Sequence, residues 1–211
     1  MFIQSAELTA RPGKSVHLGP LVTEMRDFLS NETGREWWSW AALAGRPFGT
    51  QLLSTRVDGY ADMVDGQMKL AGSAGWATLS GSAAEVLDHP AETYFAEVIA
   101  VTGEPAPPRQ FTTVTRATMA GGDMAATIAW STQVMEHTTK ITGNGGTVAM
   151  SAAGRFFEVW WFSGSDTAED LDAATQATNG DAEYAGMISE AGAAGMFVDG
   201  SVERMILVKM P

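Results

Sequence analysis

The alternation of apolar and polar positions orders the first half of the chain. "FIQSAEL" (2–8) reads as a strand, and "ARPGKS" breaks it. Leu18, Leu21, Val22, Met25, Phe28 and Leu29 then follow at helical spacing, as one apolar stripe. Pro20 suits only the first turn of such a helix. "NETG" ends it, with Gly34 placed just past the C-terminus. "REWWSWAALA" and "FGTQLLSTRV" read as two strands joined by a short turn at "GRP". Asp58 is placed to cap a second helix through Tyr60, Met63, Val64, Gln67 and Ala71, and "TYFAEVIAV" closes the half as a strand.

The second half spells the same order. "FTTVTRATM" is a strand and "AGGD" turns it. A helix runs through Met124, Ile128, Ser131, Val134 and Thr138 until "TGNGG" stops it. "TVAMSAA" and "FFEVWWF" are strands around a second "GR" turn. Asp166, with Glu169 three residues on, gives a capping-box signal for the next helix. "VERMILVKM" is the last strand. The Gly/Ser/Ala-rich stretches 72–85 and 188–197 fall at the same place in each half and read as tight turns with a short helix, or as flexible lids.

The halves also share residues at one offset. Displacing the chain by 109 residues lays Phe2 on Phe111, Thr9 on Thr118, Gly13 on Gly122, and Thr33-Gly34 on Thr142-Gly143. It also lays Ala44-Gly45-Arg46 on Ala153-Gly154-Arg155, and Phe48 on Phe157. A unit of about 100 residues, used twice, accounts for this. The joint is expected in "TGEPAPPRQ", where three prolines remove backbone donors and stiffen the chain. The expected organisation is a first unit over 1–102, a linker over 103–110 and a second unit over 111–211.

Each half reads strand-helix-strand-strand-helix-strand, the ferredoxin-like pattern. Two such units in tandem resemble the dimeric α+β barrel superfamily. That group includes antibiotic-biosynthesis-type monooxygenases, stress-responsive barrel proteins, polyketide cyclases and NIPSNAP-like proteins. The resemblance implies an α+β fold class: two tandem ferredoxin-like βαββαβ units forming an intramolecular barrel of the dimeric type. It covers almost the whole chain and is architectural, with no subfamily motif that transfers residue by residue.

Composition narrows the partners. Formal net charge is −12, so the surface repels phosphate backbones and anionic membranes, and neither nucleic acid nor membrane is expected as a partner. The chain has no cysteine, which removes thiolate nucleophiles and Cys-ligated metals. No basic-then-apolar leader opens the sequence and no run reaches the length of a membrane helix, so a cytoplasmic location is expected. Twelve methionines fit an adaptable apolar cavity and a loosely packed core equally.

Candidate chemistry is sparse. Trp38 and Trp40 share one strand face, with Trp37 on the other, and Trp160 and Trp161 follow in the second half. Such rings fill a core or wall a pocket for a flat apolar ligand. Arg46 and Arg155 sit at the hairpin turns, where a guanidinium fork fastens carbonyls or a carboxylate, or clamps an anion at a pocket mouth. Phe48 and Phe157 are expected to start the next strand inward. Glu158, among aromatics, is the first candidate acid, because desolvation would raise its pKa; Arg155 and Arg116 are its candidate partners. Tyr60 is a candidate hydrogen-bonding group. His17, His89 and His137 form no metal-binding spacing. His137 is expected to be solvated or at the edge of packing, beside Glu136 and Lys140, and is the candidate acid/base, since some members of the resembled group use one helix histidine so or as a haem ligand. "TGNGGT" is no phosphate loop, for it precedes a strand and lacks Gly-Lys-Ser/Thr.

The expected function is therefore a small enzyme without cofactor or metal, of monooxygenase or cyclase/isomerase type, acting on an apolar or aromatic small molecule. The alternatives are a non-catalytic small-molecule-binding protein and an assembly or stress-related protein of the same fold. Homo-oligomers are compatible with a tandem unit but are not required by it.

Overall fold

A computed structural model describes residues 1–104 and 106–211; Pro105, one of the three prolines of the expected linker, lies outside the described residues. By packing, the chain divides into two compact units, Met1–Glu97 with Val208–Pro211, and Val98–Leu207.

The first unit runs β1 (Phe2–Thr9), α1 (Ser15–Thr33), β2 (Trp37–Ala44), β3 (Thr50–Val57), α2 (Tyr60–Ala71), α3 (Ala74–Val86) and the start of β4 (Glu92–Thr102), whose residues from Val98 on fall in the second unit. The second runs β5 (Phe111–Thr118), α4 (Met124–Thr142), β6 (Gly146–Ala153), β7 (Glu158–Ser165), α5 (Ala168–Gly180), α6 (Ala182–Ala193) and β8 (Glu203–Lys209). The first Gly/Ser/Ala-rich stretch thus forms α3, and the second forms the last half of α6 and the segment after it, so each unit carries an added helix. The eight strands are hydrogen-bonded in the order β1-β3-β2-β8-β5-β7-β6-β4, which closes as a barrel. Among the described residues no helix is long and apolar enough to cross a membrane.

The helix stops lie where the sequence put them. Gly34 and Gly143 take φ values of 70° and 72°, and their amides return to Ser30 O and Thr139 O. The starts differ. Helix α1 begins at Ser15, so Pro20 lies inside it. Gly59, not Asp58, is the residue before α2; the Asp58 amide instead donates to Asp62 Oδ2 at 3.0 Å. The capping box of α5 is Thr167 with Asp170, one residue later than expected, because Thr167 holds the extended conformation that an N-cap needs.

In the first unit α1 covers one face of the strands. Leu8, Leu53 and Trp37 from the sheet join Leu18, Leu21, Val22, Met25 and Leu29 from α1 in one buried cluster. The Trp37 indole donates to Thr33 Oγ1 at 3.2 Å. Trp38 and Trp40 take the opposite face, as alternation requires. In the second unit Met119, Met135, Val148 and Val159 form the buried cluster, with Trp161, Ile128 and Phe197 packed against it.

Strand register gives the correspondence between the units. Thr9 pairs with Thr50, and Thr118 with Glu158. The second hairpin, Gly154–Phe157, is one residue shorter than the first, Gly45–Gly49. The phenylalanines there do not turn inward. Phe48 is 93% exposed, and Phe156 and Phe157 also reach solvent, because they sit in the turn itself, ahead of the strand whose alternation would bury them.

Candidate functional site

The second unit holds a cavity of about 320 Å³ between its sheet and its helices. Its floor is Thr113, Thr115 and Ala117 from β5 with Trp161 and Ser163 from β7; α4 supplies Trp130, Val134, Met135 and Thr138. Helix α6 supplies Tyr184, Ile188, Ala191 and Gly192, and the segment before β8 supplies Phe197, Val198 and Asp199.

Three of its four rings pack against one another. Trp130 meets Trp161 edge-on, with centroids 6.3 Å apart at 88°. Phe197 lies 5.5 Å from Trp130 and 5.7 Å from Trp161, both tilted. The polar edges of the indoles are tied off: Trp130 Nε1 donates to Met187 O at 3.1 Å, and Trp161 Nε1 to Ser131 O at 3.2 Å. The two indoles thus have no free donor to offer a ligand, and only their apolar surface remains.

Corresponding positions explain the void. In the first unit Leu8, Leu21, Leu29, Leu53 and Leu87 belong to one buried cluster. Register and the two helix stops match them to Ala117, Trp130, Thr138, Trp161 and Phe197. Shortening Leu to Ala and to Thr removes volume from floor and roof, and the larger rings stand at the sides. A packed core tolerates no such vacancy without cost.

The mouth is apolar and charged at once. Ile188, Val198 and Val202 line it and are exposed, as are Asp199 and Arg204. The segment that carries Phe197 is pinned: Val198 N donates to Thr118 O at 2.9 Å and Ala120 N to Met196 O at 2.9 Å. It is a wall and not a loose lid.

His137 lies on α4 between the cavity residues Met135 and Thr138, and it is buried instead of solvated. Its Nε2–H donates to Asp181 Oδ1 at 2.8 Å, with Glu183 Oε2 3.7 Å from Nδ1. Asp181 joins α5 to α6 and accepts the Tyr184 amide at 2.7 Å. The Tyr184 amide, then the His137 hydrogen bond, hold the Asp181 carboxyl below the usual carboxylate range. His137 thus fastens the start of the helix that walls the cavity, and lines no part of the cavity itself.

The other candidates lie elsewhere. Glu158 and Trp160 occupy the face of β7 opposite to Trp161. Glu158 is 3% exposed, accepts the Trp160 indole N–H at 3.2 Å and has Arg155 3.7 Å away. Arg116, also buried, lies over the Trp160 ring and pairs with Glu203 at 2.8 Å. In the first unit Arg46 pairs with Glu7 at 3.1 Å, Trp38 donates to Glu36 and Trp40 to Ser54. Tyr60 packs on Phe2 and Phe95. The structure thus gathers Glu158, Arg155 and Trp160 in one unit and leaves Trp38, Trp40, Arg46 and Tyr60 in the other. Among the described residues, no three His, Asp or Glu side chains come together as a metal-ligand group.

Trp130, Phe197 and the threonines of β5 are the residues that sequence reasoning passed over. At the 109-residue offset Trp130 falls on Leu21, a signal open to reading, whereas Phe197 falls on Asp88 and Thr113 and Thr115 on Gln4 and Ala6, so their part shows only in the fold.

No protein-family model matches the chain, and no curated protein matches its sequence. Solved structures match its fold. A Fusobacterium nucleatum protein provisionally assigned as a monooxygenase superposes with a TM-score of 0.71 at 10% identity, over 100% of this chain and 92% of that one. An anthrone oxidase-like protein gives 0.70 at 15% identity, over 100% and 91%. A Lactobacillus acidophilus protein, also provisionally assigned as a monooxygenase, gives 0.65 at 13%, over 99% and 93%. At such identities the likeness establishes the fold alone, an α+β barrel.

Proposed function

We propose that the second unit binds a flat, apolar aromatic molecule in its cavity and acts on it as a small enzyme of the monooxygenase type, with dioxygen as co-substrate and no resident cofactor. The observation that carries this reading is the three-ring box of Trp130, Trp161 and Phe197 around a void that leucines fill at the corresponding positions of the first unit. Small-molecule sites combine such apolar walls with a few polar groups. The monooxygenase and anthrone oxidase-like assignments of the structural neighbours favour oxidation over other chemistries. Tyr184 and Asp199 are the cavity groups able to exchange a proton. We read the two units as copies of one ancestral unit, with the ligand site kept in the second.

A second reading, binding without turnover, has its own support: the two charged residues that line the cavity, Asp199 and Arg204, are exposed at its mouth. Titration with anthrone, followed by tryptophan fluorescence and by an oxygen electrode, separates the two. Saturable quenching with oxygen uptake above the spontaneous rate supports the enzyme. Quenching alone supports the binding protein, and absence of both overturns the site. The Ala117→Leu/Thr138→Leu variant, which installs the leucines of the first unit, abolishes either signal.

A further inference from the structure

We infer that Thr113 and Ser163, with Thr115 beside them, form a hydroxyl subsite that reads an uncharged oxygen, a ring carbonyl or hydroxyl, on the edge of the molecule held in the cavity. The inference rests on the reading of the cavity as a ligand site.

Thr113 and Ser163 are direct cross-strand partners on β5 and β7. Thr115, two residues along β5, shares their face, and all three line the cavity. Thr113 is only 9% exposed. Among the described residues none of the three hydroxyls has a hydrogen-bond partner in the protein. A cavity-lining hydroxyl without a protein partner is left to solvent, and a ligand that displaces that solvent has to satisfy it or lose affinity.

The first unit shows the structural use of the same position. Thr55, opposite Gln4 as Ser163 is opposite Thr113, donates its hydroxyl to Glu36 O at 2.8 Å and is 1% exposed. Ser163 has no such bond. Gln4 and Ala6 stand where Thr113 and Thr115 stand, so the row of hydroxyls belongs to the second unit alone. Hydroxyls both donate and accept, so they suit a carbonyl or a hydroxyl equally. They do not suit a carboxylate, which would need a cation once desolvated; the one cationic residue that lines the cavity, Arg204, is exposed.

The test uses three probes of one shape, namely naphthalene, 2-naphthol and 2-naphthoate, with affinity read from tryptophan quenching. Wild-type protein should bind 2-naphthol about 10-fold more tightly than naphthalene, and 2-naphthoate more weakly than 2-naphthol. In the Thr113→Val/Ser163→Ala variant the 2-naphthol preference should fall to about 2-fold or less while naphthalene affinity holds. Its melting temperature should not drop, because neither hydroxyl bonds to protein; a structural role would lower it. Should the double variant fail to fold, the isosteric Thr113→Val alone should still lose part of the preference. An unchanged preference in the variants, or a preference for 2-naphthoate, overturns the subsite. If naphthalene binds and Ala117→Leu/Thr138→Leu blocks it, but 2-naphthol gains nothing, the cavity stands and the subsite falls. If no probe binds, both fall.

Discussion

Phe157 holds φ at +64° in the second hairpin, at the position that Gly49 holds at +84° in the first. The equivalence is fixed by hydrogen bonds: Met119 N donates to Phe157 O at 2.8 Å, and Ala10 N to Gly49 O at 3.4 Å. Phe157 is the one non-glycine residue with positive φ among those described. A Cβ in that region meets the backbone, at about 1–2 kcal/mol. Phe157→Gly should therefore stabilise the protein by roughly 0.5–1 kcal/mol, after the entropic cost of glycine. Phe157→Ala keeps the strain and should gain nothing. Urea denaturation of the two variants checks this. Equal effects would mean that the side chain, through its 4.5 Å contact with Phe156, governs the turn.

The cavity predicts a trade between stability and binding. Ala117 is 1% exposed and stands where Leu8 fills the first unit. Filling the void with Ala117→Leu and Thr138→Leu should raise stability by roughly 0.5–2 kcal/mol while removing ligand binding. Thermal melts and fluorescence titrations on one preparation decide it. Destabilisation together with retained binding would show that the cavity lies elsewhere.

What the sequence disclosed follows from which forces are local. Strand alternation, the helical stripe of Leu18 to Leu29 and the αL stops at Gly34 and Gly143 are set within a few residues, so the strands and the helices between them were legible. Helix starts were less so. Thr167 and Asp166 are both good caps, and only backbone conformation chooses between them. The cavity depends on packing between elements far apart in sequence. Trp130 and Phe197 are 67 positions apart by their numbers and meet only in the fold. Rings on a strand were legible as Trp160 and Trp161, but not that Trp161 faces the void and Trp160 the ion pairs.

Glu158 supplies a prediction that separates the two faces of β7. Its carboxylate accepts the Trp160 indole N–H in a buried setting. Glu158→Ala should strand that donor and cost about 1–3 kcal/mol, whereas Glu158→Gln keeps an acceptor and should cost less. Neither should change 2-naphthol affinity, because Glu158 is on the face away from the cavity. A large loss of affinity in Glu158→Gln at unchanged stability would instead make Glu158 part of the ligand site.

Two carboxyls contribute to the acid limb of stability. Asp62 is held below its ordinary range by the Asp58 amide and then by Arg35, and Asp181 by the Tyr184 amide and then by His137. A depressed folded pKa stabilises the fold fully above the unfolded value, about 3.9, and that contribution is lost as pH falls through the folded value. Asn is itself a good N-cap, so Asp181→Asn keeps the bond from Tyr184 and removes only the charge. At about pH 5 this variant should melt below the wild type, and the gap should close by about pH 2.5. Asp62→Asn should behave alike. Melting temperatures across that range are the measurement. A gap that stays constant would mean that the carboxylates contribute by shape and not by charge.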